Sequence, residues 1–109
     1  MLIDVSKELK TLDGQVMQDV GANGEAVNAT VKMALLNAVL ASEKDDTPVR
    51  KLMKGELARK IYNADKEVDL TVEELALCKK RVGEVFPGPL VVLQVTEILD
   101  PKEGNRDAA

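Results

Sequence analysis

The chain has no histidine and no tryptophan, and its 109 residues include one cysteine, one tyrosine and one phenylalanine. Each scarcity closes a route. Without histidine and with one thiol, the usual zinc ligand sets cannot be assembled within one chain. Serine–histidine and cysteine–histidine catalysis are excluded for the same reason. Cys78 has no partner for an internal disulfide and fits a reducing compartment. With only Tyr62 and Phe86 as aromatics, the stacking platforms that hold single-stranded bases are missing. No apolar run approaches the ~18 residues of a membrane span. Acidic Asp4 and Glu8 interrupt the start, where a cleavable leader needs a basic and then an apolar stretch. These readings predict a soluble cytoplasmic protein with no membrane association.

Phosphate and calcium loops are also missing. Gly21-Ala22-Asn23-Gly24 lacks the lysine and hydroxyl that must follow in a P-loop. The acidic stretch 13–25 lacks the regular alternation of carboxylates that a calcium loop requires. The adjacent pairs Glu73/Glu74 and Asp45/Asp46 have simpler roles, the first in helix capping and the second in a solvated loop. No catalytic residue, metal ligand or cofactor is therefore predicted, and the chain is read as a non-enzyme.

What is present suits one small domain: 45% of residues are hydrophobic and 31% charged. The core must be built from Leu, Val, Ile, Ala and Met. The expected fold is α+β and predominantly α, a short N-terminal β-hairpin or meander followed by about four packed helices. The domain is placed at 1–101, with 1–29 as hairpin or meander, 30–100 as helical, and 102–109 as a disordered tail.

Asp13-Gly14 and Asn23-Gly24 suit type I′ turns, and residues 15–20 form a strand that pairs on one or both sides. From Thr30, the nearly continuous apolar run 31–41 reads as a central helix. Thr47-Pro48 caps and starts the next, along which Val49, Met53, Leu57 and Ile61 form one apolar stripe. Gly55 interrupts it, through close packing or a local bend. Thr71-Val72-Glu73-Glu74 is a capping box, staple-like Leu70 and Leu75 flanking it. It opens a helix that buries Leu75, Cys78, Val82 and Val85 and turns Lys79, Lys80 and Arg81 outward. Residues 90–99 suit a buried strand or a helix; spacing and Pro89 favour helix, stopped by Pro101.

Net charge is −4, but residues 48–62 carry five basic groups against one acidic. Arg50, Lys51, Lys54, Arg59 and Lys60 fall mostly off the apolar stripe and are the candidate partner-binding residues. Three uses compete: a solvated face balanced by the acidic flanks, a surface for an acidic protein partner, and phosphate contacts. The connection 63–70 is too long and acidic for a helix-turn-helix, which makes nucleic acid the weakest of the three. Cys78 reads as a small buried hydrophobe, and the methionines as gap-fillers of an aromatic-poor core.

The segments Ala34-Leu35-Leu36-Asn37-Ala38-Val39-Leu40, Leu57-Ala58-Arg59-Lys60-Ile61-Tyr62 and Leu70-Thr71-Val72-Glu73-Glu74 resemble small uncharacterised proteins of tailed bacteriophages and prophages. The likeness lies in the cadence of helices over residues 30–99. It implies a bacterial cytoplasm and an accessory or regulatory role, and carries over no functional residue. The function expected is protein–protein interaction, with a protein partner or a homo-oligomer. The alternatives are a self-assembling component of a phage particle and nucleic-acid binding through 48–62.

Overall fold

The chain is seen in a computed structural model that describes residues 1–99. The stop at Pro101 and the tail 102–109 lie outside the described residues. In order, the elements are β1 (Leu2–Asp4), β2 (Gln18–Val20), β3 (Ala26–Asn28), α1 (Val31–Leu40), α2 (Pro48–Asn63), β4 (Glu67–Asp69), α3 (Val72–Val85) and α4 (Pro89–Leu99). The expected α+β, mainly helical fold is the observed one. Residues 90–99 are helix.

The helix starts follow from local chemistry. Thr30, Thr47 and Thr71 each accept a backbone N–H through the side chain, and Pro48 opens α2. At α3 the box is complete: Thr71 Oγ1 accepts from the Glu74 N–H, and Glu74 Oε1 accepts from the Thr71 N–H. The first free N–H groups of α1 are taken up by the chain before it, Val31 N donating to Lys7 O and Lys32 N to Val5 O.

The two turns are not type I′. Gly14 and Gly24 have φ of +89° and +80°, whereas Asp13 and Asn23 keep negative φ. Type I′ needs the left-handed region at both central residues. Instead each loop makes a turn and then one left-handed glycine. Gly14 N donates to Thr11 O and Thr11 N to Gln15 O; Gly24 N donates to Gly21 O and Gly21 N to Glu25 O. The N-terminal region then closes on itself through three bonds in a ring. Met17 N donates to Leu9 O, Leu9 N to Ala29 O, and Ala29 N to Met17 O, at 2.8–2.9 Å.

A strand the sequence did not predict lies inside the stretch read as helical. β4 pairs antiparallel with β1, Ile3 opposite Val68, and places both side chains in the core. The core gathers Ile3, Val5 and Leu9 with Leu35, Val39, Ile61, Leu70, Val82, Val95 and Leu99. Helix α1 packs against both α2 and α3, as its apolar circumference predicts, and α4 packs on α3. Gln94 fastens α4 to the N-terminal region, its amide donating to Lys10 O and accepting from Lys10 N.

Candidate functional site

The five basic residues of 48–62 do not form one surface. Lys54 is 4% exposed and points inward. Its ammonium donates to both carboxylate oxygens of Asp46, at 2.8 and 2.9 Å, and to Glu43 Oε2. Arg50, half-buried, lies 3.4 Å from Glu43 and 3.5 Å from Asp46. Lys60 is held by Glu74 at 3.0 Å. Lys51 and Arg59 are exposed. The segregation of charge by helix, visible in sequence, is largely cancelled by the acidic loop folded beside it.

The loop itself is not simply solvated. Asp46 has a side chain 6% exposed, and Glu43 and Asp46 also bond through the backbone, Asp46 N donating to Glu43 O. The ammonium of Lys54, donating to each carboxylate, holds both below the ordinary acid range.

Arg81, expected to face outward, is also buried, at 4%. Its position completes the same cluster. Nε donates to Ala38 O at 3.3 Å and Nη2 to Ala41 O at 3.1 Å, while Nη1 meets Glu84 at 2.9 Å and Glu43 at 3.4 Å. The guanidinium thus satisfies carbonyls that α1 leaves open at its C-terminal end, where the dipole favours a cation. Lys32 does the corresponding work at the end of α2, donating to Tyr62 O and Ala64 O. Three cations, Arg50, Lys54 and Arg81, and three carboxylates, Glu43, Asp46 and Glu84, are balanced around the α1–α2 corner. Among the described residues no buried side-chain N or O lacks a partner.

Turning Lys54 inward turns its neighbours outward. Val49 is 71% exposed, Leu52 64% and Met53 47%, whereas Leu57 and Ile61 on the second half of α2 are buried. The predicted stripe is therefore split. Its second half is core, and its first half faces solvent, because the inward positions there carry charge. Beside Met53, between α2 and α3, lies a surface groove of about 320 Å³ lined by Arg50, Met53, Glu73, Ala76, Leu77 and Lys80. Sequence reasoning missed this face. The available signal was the run of acids 43, 45 and 46 placed just before the basic residues 50 and 54.

Gly55 is exposed, and a β-carbon built there meets nothing within 4 Å, so neither close packing nor steric crowding requires glycine. On α3, Cys78 and Val82 are fully buried and Leu77 is buried except where it lines the groove, while Leu75 and Val85 are half-covered. Burial, with Glu74 nearby, pushes the Cys78 thiol from its ordinary 9.0 up to about 12. The neutral thiol is the form the fold favours. Whatever stability this adds is whole below pH 9 and is lost as pH rises from there toward 12. In native protein at pH 8 we expect essentially no reaction with an aromatic disulfide reagent over minutes, and one equivalent reacting after denaturation. Rapid labelling of the native chain would contradict the burial.

Among the described residues no group of three or more Cys, Asp or Glu side chains is placed to hold a metal ion, and no helix is long and apolar enough to cross a membrane. Neither the known protein families, nor characterised proteins, nor solved structures include a match to this chain.

Proposed function

We propose that this protein is a non-enzymatic protein–protein interaction module, and that it works in the bacterial cytoplasm in a phage or prophage setting. One observation carries the binding role: the first half of α2 is built inside out. Charge occupies the inward positions and aliphatic side chains the outward ones. Burying Lys54 requires two carboxylates to compensate it, and leaving Val49 and Leu52 in water forfeits roughly 1.5–3 kcal/mol for each side chain that a partner could cover. An exposed aliphatic face beside a groove is the ordinary signature of a docking surface. The setting rests on the helical cadence of residues 30–99 alone.

Nucleic-acid binding has less behind it. Arg50, Lys54 and Lys60 already have carboxylate partners, which leaves few cations for phosphates.

The test compares wild type with Leu52→Asp as affinity baits in a bacterial lysate, read by quantitative mass spectrometry. Leu52 is exposed, so the variant keeps its fold and its circular dichroism. Proteins retained by wild type are expected to fall at least ~10-fold with the variant, the scale of losing one well-packed interface contact. Identical recoveries from both baits would remove the α2 face from the account.

A further inference from the structure

We propose that Asn23 is a site of spontaneous covalent modification, where the side-chain amide is lost through a cyclic imide formed with the backbone nitrogen of Gly24. The two residues lie in the loop between β2 and β3, independent of the α2 face. Asparagine is among the thermally labile side chains, and its surroundings decide whether that lability is expressed. The Gly24 nitrogen bonds to Asn23 Cγ and the Cγ–Nδ2 bond breaks. The displaced amide leaves as ammonia, taking up the proton that the Gly24 nitrogen gives up. Water then opens the ring at either carbonyl. One opening yields aspartate, the other isoaspartate, whose backbone runs through the side-chain carbon.

The loop favours this step. Asn23 and Gly24 are both exposed, and Gly24 has no side chain to crowd its own nitrogen. Among the described residues, none bonds the Asn23 side-chain amide. The turn is held lightly: Gly24 N donates to Gly21 O and Asn23 N to Glu25 Oε2, each at 3.0 Å and in reach of water. Such a turn opens locally at little cost. The other asparagines lack this combination. Asn28 donates to Glu8 and accepts from Gln18, and Asn37 and Asn63 lie in helices; all three precede alanine. Asp13-Gly14 repeats the turn but not the chemistry. The Thr11 hydroxyl and the Gln15 N–H donate to the Asp13 carboxylate and hold it below the ordinary acid range. An ionised carboxylate offers no leaving group.

The product changes the loop it forms in. A new negative charge arrives beside Glu25, whose carboxylate now accepts from the Asn23 N–H and lies against Gly21. Two like charges so close repel. Isoaspartate also lengthens the backbone within the turn, so its bonds from Gly21 to Glu25 lose their register. The connection between β2 and β3 loosens as the chain ages.

Peptide mapping by mass spectrometry tests this on the full chain held in mildly alkaline buffer, with and without denaturant. Asn23 is expected to gain the mass of an amide-to-acid exchange at least ~10-fold faster than Asn28, Asn37 or Asn63, a barrier lower by about 1.4 kcal/mol. Denaturant should raise that rate by no more than ~10-fold, the cost of opening an exposed turn. The product should separate into two isomers of equal mass. Asn23→Gln should abolish both and leave the circular dichroism as it was. An Asn23 that reacts no faster than the other three in native protein would overturn the proposal. So would conversion confined to denatured protein, or a single isomer, which bypasses the imide.

Discussion

Replacing Lys54 with methionine is expected to lower the thermal midpoint by about 10–20 °C at neutral pH. The methionine fills most of the space of the lysine stem but leaves Asp46 and Glu43 facing each other with their central cation gone. Asp46 has no ready access to water, with 6% of its side chain exposed. Two neighbouring carboxylates so placed repel, and their compensation falls to Arg50 and Arg81 at 3.4–3.5 Å. Adding Glu43→Gln and Asp46→Asn to the methionine variant should recover part of the loss: the two carboxylates no longer repel, while Arg50 loses its charged partners and Arg81 keeps Glu84 and the carbonyls of Ala38 and Ala41. Scanning calorimetry of the two variants separates these outcomes. If the single and triple variants unfold together, the cluster is not acting as a unit.

Acid probes the same contacts. Glu43 and Asp46 are held below the ordinary carboxylate range by their bonds to Lys54. For a group depressed in the folded state, the stabilisation is complete above the unfolded value and drains away as pH falls through the folded one. The wild type is therefore expected to weaken as pH drops below about 4, and Lys54→Met should show a shallower acid limb.

Leu35→Ala carries the other large effect, a destabilisation of about 3 kcal/mol within the 2–5 kcal/mol usual for such truncations. Leu35 has no exposed surface and sits on α1, the helix against which both α2 and α3 pack. Aliphatic side chains dominate the buried core around it. Denaturant titration should show a lower midpoint with an unchanged slope. A loss under 1 kcal/mol would mean that α1 is not the central element of the packing.

How legible each feature was depends on how far its cause extends along the chain. Helix starts were readable because Thr47-Pro48 and Thr71 to Glu74 satisfy their own orphan groups within four residues. Residues 90–99 kept two readings until α3 supplied a surface for the helix to lie on. β4 left no local trace: three residues gain a strand identity only from β1, which is distant in sequence. The I′ turns failed for a finer reason, since Asp-Gly and Asn-Gly also serve loops in which the glycine alone is left-handed.

The candidate surface shows the same limit. Spacing by fours put Val49 and Met53 on one side with Leu57 and Ile61, which assumes a helix with one kind of neighbour along its length. Helix α2 has two. Its second half meets the aliphatic core, and its first half meets an acidic corner that draws Lys54 inward. Arg81 was misjudged in the same way: its partners, the carbonyls of Ala38 and Ala41, lie about forty residues away.

The pairing of β1 with β4 has a consequence for how the protein is made. Residues 2–4 leave the ribosome long before residues 67–69, yet each strand completes the other. At elongation rates of ~5–20 residues per second, Ile3 waits several seconds for Val68. During that interval the meander, with its own ring of bonds, and the α1–α2 hairpin can form locally, while β1 stays an open edge. Nascent chains stalled before residue 66 would thus expose an aliphatic strand to chaperones, and those stalled after residue 99 would hide it.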